Sequence, residues 1–226
     1  MKIFSILLFV MYTVAVQAQI TLKVDFQSDE DDQIEIWMYD NFIVGSRHLV
    51  FSADRNITSI HEKLINTDHY GKILVKTQHH EKSYYVQPGY TYKIIIQSIG
   101  IIIDSKDKTN EMMLEIDKLH EEYTRKGVNR ITGSYKNSYV PLLRDLVIQL
   151  DTHFTNNMYF NNLLQYKIAQ IKLRIARETT DLESIDKIQE EYLTNSKVDY
   201  WNPRYINFIS EYYYLRLTDS RLSRTI

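Results

Sequence analysis

The chain has no cysteine, three prolines and six glycines in 226 residues. Without cysteine there is no disulfide framework, no CxxC redox pair and no thiolate nucleophile. Stability must then come from packed cores alone. No two glycines stand in a G-x-G arrangement, so a phosphate-cradling loop has no support. Charge of one sign is missing as well: 27 Lys and Arg stand against 29 Asp and Glu. Nucleic-acid binders carry a basic face, and this balance argues against that class. The apolar run at residues 94–103 is interrupted by Gln97, Ser98 and Gly100, so no segment after the N-terminal one reads as a membrane span. A G-x-S-x-G nucleophile elbow is absent. Three His-Glu pairs begin at His61, His80 and His120, but Ile65, Tyr84 and Thr124 stand where a zinc-protease motif needs its second histidine.

What is present begins with a secretory signal. Lys2 forms the charged start, residues 3–10 the apolar centre, and Val16-Gln17-Ala18 a small-residue cleavage site. A membrane anchor is the competing reading, but the apolar run is too short to span a bilayer. Residues 1–18 are therefore expected to be removed near Ala18. The expected location is periplasmic or secreted, with no transmembrane segment after cleavage. Eighteen Tyr and eight Phe supply much of the apolar area for a core.

Two patterns meet near Ser105. Before it, apolar and polar residues alternate with the period of two that marks half-buried strands. Ile20, Leu22, Val24 and Phe26 form one such run, and Ile34, Ile36 and Met38 another. Further strands are expected around Gly45, over residues 56–64, over 72–76 and 83–87, and last over 90–96 after the Pro88-Gly89 turn. Strands without intervening helices predict an antiparallel β-sandwich over residues 19–104.

From Lys108 the period becomes helical. Met112, Ile116, Leu119 and Tyr123 share a face, with Gly127 as the expected C-terminal cap. Pro141 reads as a first helical residue, followed by the stripe Leu143, Leu146, Val147, Leu150 and Phe154. The longest helical pattern covers residues 156–176, where Phe160, Leu164, Ile168, Ile171 and Ile175 line one face. Asn156 or Asn157 can cap its start. Thr180-Asp181-Leu182-Glu183 fits a capping box before Ile185, Ile188 and Tyr192. Asn202-Pro203 reads as a cap and first turn, leading to Tyr205, Phe208, Ile209 and Tyr212. The fold class expected is α+β: an N-terminal antiparallel β-sandwich, then an all-α helical bundle over residues 105–226 with residues 156–176 as its central rod.

Candidate chemistry is sparse. His48, His61, His69, His79 and His80 could hold a metal, but a site needs three or four convergent ligands, and solvated turn histidines are the plainer reading. Asp29-Glu30-Asp31-Asp32 fails the calcium-loop spacing, since Ile34 stands where glycine is required. A solvated acidic turn is expected there, in which Asp31→Ala does almost nothing. Arg144, Lys167, Arg174 and Arg177 read as solvated or dipole-complementing cations before they read as an anion site. Tyr212-Tyr213-Tyr214 could form a carbohydrate platform, but consecutive helical residues splay about 100° apart. Core packing and a partner surface divide these rings instead. No catalytic residue, metal or cofactor is expected.

Three segments carry a family resemblance: Tyr84-Tyr85-Val86-Gln87-Pro88-Gly89-Tyr90-Thr91-Tyr92, Tyr159-Phe160 with Tyr166-Lys167-Ile168-Ala169, and Val198-Asp199-Tyr200-Trp201-Asn202-Pro203-Arg204-Tyr205. In combination they resemble the N-terminal, non-catalytic region of exported thioredoxin-like, thiol–disulfide interchange proteins of the Bacteroidota. That resemblance implies a β-sandwich and helical spacer ahead of a thioredoxin domain with a redox cysteine pair. This chain has neither the domain nor the cysteines, so no catalytic residue carries over. Two expectations follow. The first is a non-enzymatic extracytoplasmic binding or scaffolding protein, accessory to an envelope partner, with a thioredoxin-like protein the first candidate. Its expected partner surface is Tyr205, Tyr212, Tyr213 and Tyr214. The alternative is the truncated remnant of a periplasmic thiol–disulfide oxidoreductase, redox-inactive without cysteine.

Overall fold

The computed structural model describes residues 19–218, apart from 29, 43, 56–59, 68, 129–134 and 195, and apart from the side chains of 128 and 135–138. The expected signal segment, the start of the strand expected at 56–64 and the loop around Gly133 lie outside the described residues. The chain divides into two compact units, Met1–Asn110 and Glu111–Ile226. Among the described residues, the regular structure of the first is strand up to the opening of a helix, and that of the second is helix. The class is thus α+β.

The first unit holds eight strands: β1 Gln19–Phe26, β2 Gln33–Asn41, β3 Ser46–Asp54, β4 Ile60–Asn66, β5 Gly71–Thr77, β6 Glu81–Val86, β7 Thr91–Gln97 and β8 Gly100–Ser105. They form two four-stranded sheets, ordered β4-β1-β7-β8 and β3-β2-β5-β6. The alternation read from the sequence sets the buried faces. Ile20, Leu22, Val24 and Phe26 of β1 join Ile34, Ile36 and Met38 of β2, with Ile94 and Ile96 of β7, in a single buried cluster drawn from both sheets.

Three expectations need correction here. Strand pairing is not wholly antiparallel, because β1 runs parallel to β7, with Leu22 opposite Tyr92. Parallel neighbours need a long connection, and the whole second sheet intervenes between these two strands. An additional strand, β8, follows β7 through a tight turn at Ser98-Ile99, with Gly100 at φ 138°. The acidic turn is not solvated throughout. Asp31 has no exposed surface, and its Oδ1 accepts a hydrogen bond from the His79 backbone N–H at 3.2 Å. A silent Asp31→Ala is therefore withdrawn, since a buried acceptor is not a bystander.

The segment after β8 is anchored rather than loose. Asp107, 1% exposed, accepts from the Tyr92 hydroxyl at 2.6 Å, from Gln87 Nε2 at 2.9 Å and from the Thr109 backbone at 2.9 Å. Burial, then the Asp107 charge, keep the Tyr92 hydroxyl protonated far above the ordinary tyrosine range.

The second unit contains α1 Thr109–Val128, α2 Tyr135–Asp151, α3 Met158–Thr179, α4 Leu182–Gln189 running into a π-helical turn Glu190–Thr194, and α5 Pro203–Thr218. Asn157 caps α3, accepting from the Phe160 backbone at 3.0 Å. Eleven α3 residues are buried, among them Phe160, Leu164, Ile168 and Ile171. Ile175 is only half-buried.

Several local expectations change in this unit. Gly127 is helical and does not cap α1. A Cβ there would lie 2.5 Å from Cδ2 of Tyr139, so the glycine admits an aromatic ring. Pro141 lies inside α2 rather than at its start, which leaves the helix without one backbone donor. Phe154 sits beyond α2 and is 46% exposed. The α4 cap is Asp181, not Thr180: its carboxylate accepts from the Ser184 backbone at 3.0 Å. Thr180 instead ends α3 in the left-handed region at φ 56°, where a β-branched residue is uncommon. Its N–H bonds to Arg177 and the Asp181 N–H to Ala176, so the reversal into α4 satisfies carbonyls at the end of α3.

Candidate interaction surface

Helix α5 begins where the sequence places it. Asn202 has no exposed surface, and its Oδ1 accepts from the backbones of Arg204 at 3.0 Å and Tyr205 at 3.1 Å. Its amide donates to the Asn162 carbonyl at 3.1 Å, which ties the start of α5 to α3. Pro203 follows at the first helical position, where its missing N–H costs nothing.

A second tie is electrostatic. Asp117 on α1 accepts from Lys167 of α3 at 3.1 Å and from the Arg204 guanidinium of α5 at 2.9 and 2.6 Å. Burial pushes the Lys167 ammonium below the ordinary lysine value, with Arg204 adding to the effect and Asp117 opposing it. One carboxylate thus holds three helices together.

The four tyrosines expected on a partner surface divide into two pairs. Tyr205 and Tyr212 are buried at 3% and 2% exposure, whereas Tyr213 and Tyr214 are 55% and 68% exposed. Helical geometry requires this, because residues that share a face with Tyr205 and Phe208 cannot share it with Tyr213. Tyr205 packs edge-on to Tyr166 with centroids 4.9 Å apart. Phe208 lies 5.8 Å from Tyr192 and 6.0 Å from Tyr166. Burial is the main cause holding the Tyr166 and Tyr192 hydroxyls in their neutral form, each pushed up to about 12.

Tyr212 links this core to the surface. Its hydroxyl donates to Gln189 and accepts from Arg216 Nε at 3.0 Å. The Arg216 guanidinium in turn bonds Asp186 of α4. Tyr213 stands edge-on against the Tyr212 ring, centroids 5.4 Å apart and planes at 85°. The exposed ring therefore rests on one whose hydroxyl is fixed on both sides. Sequence reasoning missed Leu217, which is 81% exposed and lies one helical turn beyond Tyr213. Its only signal was that i, i+4 spacing. Tyr200 and Val198, 40% and 48% exposed, lie in the segment before α5. Burial is the main cause raising the Tyr205 hydroxyl above its ordinary value.

The other residues singled out from sequence do not converge. Among the described residues no three metal-ligating side chains group together. His48 pairs with Asp40, His80 lies 3.2 Å from the Ser98 carbonyl, and His61 sits between the rings of Phe26 and Phe51. Lys167 belongs to the Asp117 cluster, and Arg174 stacks over Tyr139 at 5.0 Å. Arg177 lies in the last turn of α3. Arg144 lines a groove elsewhere in the second unit. No described helix is long and apolar enough to cross a membrane. The chain matches no protein-family model and no curated protein.

Proposed function

We propose that this chain is a non-enzymatic binding or scaffolding protein of an extracytoplasmic compartment, built as a β-sandwich followed by a helical bundle. In this reading it docks an envelope protein partner through Tyr213, Tyr214 and Leu217. The observation that carries the proposal is the exposure of these three side chains on consecutive turns of a helix whose inner face is locked. Exposed apolar side chains in a group mark interaction sites more often than single ones do. Tyrosine also supplies large contact area at low entropic cost. A pre-positioned ring such as Tyr213 loses less freedom on docking. Export rests on the signal segment, and the family resemblance makes a thioredoxin-like protein the first partner to test.

The experiment is a paired pull-down from envelope extract, with tagged protein starting at Gln19 as bait. A double variant, Tyr213→Ser with Tyr214→Ser, serves as the second bait. Both side chains are exposed, so thermal unfolding should be unchanged. The expected result is one protein recovered by the parent and lost with the variant. Identical recovery by both baits, or a blank from folded parent, would overturn the proposal.

A further inference from the structure

A groove of about 250 Å³ lies among α2, α3 and α4, apart from the α5 surface. Its floor is apolar. Ala176 and Ile188 are 2% and 4% exposed, and Ile175 joins them in lining it. Its rim carries charge of both signs, but most of those groups are already committed. Lys172 donates to the Glu191 carboxylate at 3.1 and 3.2 Å and to the Tyr192 hydroxyl at 2.9 Å. Lys187 pairs with Glu183 at 2.6 Å. Asp181 accepts from the Ser184 backbone and hydroxyl at 3.0 and 2.7 Å. Thr179 donates back to the Ile175 carbonyl at 2.9 Å.

Arg144 is left over. It lines the groove, and among the described residues it makes no hydrogen bond or ion pair. A guanidinium is always charged and presents a planar fork that matches a carboxylate bidentately. Pockets that hold small molecules combine mostly apolar walls with a few placed polar groups. Here the apolar part is confined to the floor of Ile175, Ala176 and Ile188, the rest of the lining is polar, and Arg144 is its uncommitted guanidinium. Asp181 and Glu191 on the same rim disfavour ligands of high negative charge, which leaves monoanions.

We propose that this groove binds small monocarboxylic acids with an apolar body, with Arg144 as their counter-ion. The hydrocarbon lies on Ile175, Ala176 and Ile188, and the carboxylate takes the guanidinium fork. The groove does not depend on the partner surface of α5.

The test is isothermal titration calorimetry of the full chain with sodium octanoate, beside octanol as the neutral isostere. Saturable binding of octanoate is expected, and Arg144→Gln should weaken it at least about tenfold, the scale of a charge-assisted bidentate contact. Arg144→Lys should recover part of that loss. Octanol should bind the parent more weakly than octanoate and should not distinguish parent from Arg144→Gln. Arg177→Gln, an exposed cation outside the groove, should change nothing. Arg144 is exposed, so its variants keep the fold, which thermal unfolding checks. No saturable heat up to about 10 mM octanoate, equal affinity in Arg144→Gln, or equal binding of octanol would each overturn the proposal.

Discussion

His120 is the residue whose protonation the fold opposes most clearly. Burial is the largest cause, followed by Lys167 and Arg174 of α3, with Arg204 of α5 adding to them and Asp117 opposing. Together they bring the imidazole down to about 4. In the unfolded chain it takes up a proton near 6.5. The unfolded state therefore binds more protons between those two values, and stability falls as pH drops through that window. Above 6.5 the contribution is complete, and below 4 no more is lost from this group. The expected loss is about 2 kcal/mol after discounting for partial exposure. Urea unfolding at pH 6.5 and pH 5, above the range of most carboxylates, should show a fall that His120→Gln removes. An unchanged slope in the variant would show that His120 is not held neutral. Residues of this kind are hard to read from sequence. Nothing local to His120 marks it, because its charged neighbours come from helices far along the chain. Gly127 and Asp31 hid their roles for the same reason. A glycine near cationic residues looks like a cap until a ring from α2 is laid on it. An aspartate in an acidic run looks solvated until the β5–β6 turn closes over it.

At the scale of elements, α3 carries the second unit. Its burial extends beyond one stripe, from Tyr159 through Leu163 and Tyr166 to Ala169 and Leu173, so it has neighbours on several sides. Ile168, 2% exposed, lies midway along it. Ile168→Asp puts a carboxylate there without a counter-charge of its own, and should cost about 4 kcal/mol or more. Circular dichroism should then show the helical signal melting well below the parent. A melting curve that does not move would remove α3 from its central place. This helix was legible because its period is strong and its Asn157 cap is local. The same holds for Asn202-Pro203 and for the alternating strands β1, β2 and β7. Strand β8 was not legible, since Gln97, Ser98 and Gly100 interrupt the apolar run after residue 96 without the two-residue turn signature that announces a further hairpin strand. The parallel pairing of β1 with β7 was equally hidden, because pairing is a long-range choice that alternation does not encode. Thr180 was misplaced for a subtler reason. Two caps lie side by side, and a Thr-x-x-Glu spacing matches the capping box although Asp181 holds the first turn.

For the molecule as a whole, the central claim is that the outer face of α5 is where another protein docks. The tyrosine run pointed to α5, and helical splay already divides its rings between core and surface, but sequence did not say which ring goes where and named all four tyrosines as partner surface. Packing divided them, with Tyr205 and Tyr212 inside as supports and Tyr213 and Tyr214 outside, and added Leu217. The most direct measurement is site-specific photo-crosslinking in the native cell. Benzoylphenylalanine replaces Tyr214 in one strain and Ile148 in another. Both positions are well exposed, at 68% and 63%, but Ile148 belongs to α2. The account predicts a discrete crosslinked adduct from position 214 and none from position 148. No adduct from position 214, or the same adduct from both positions, would contradict it.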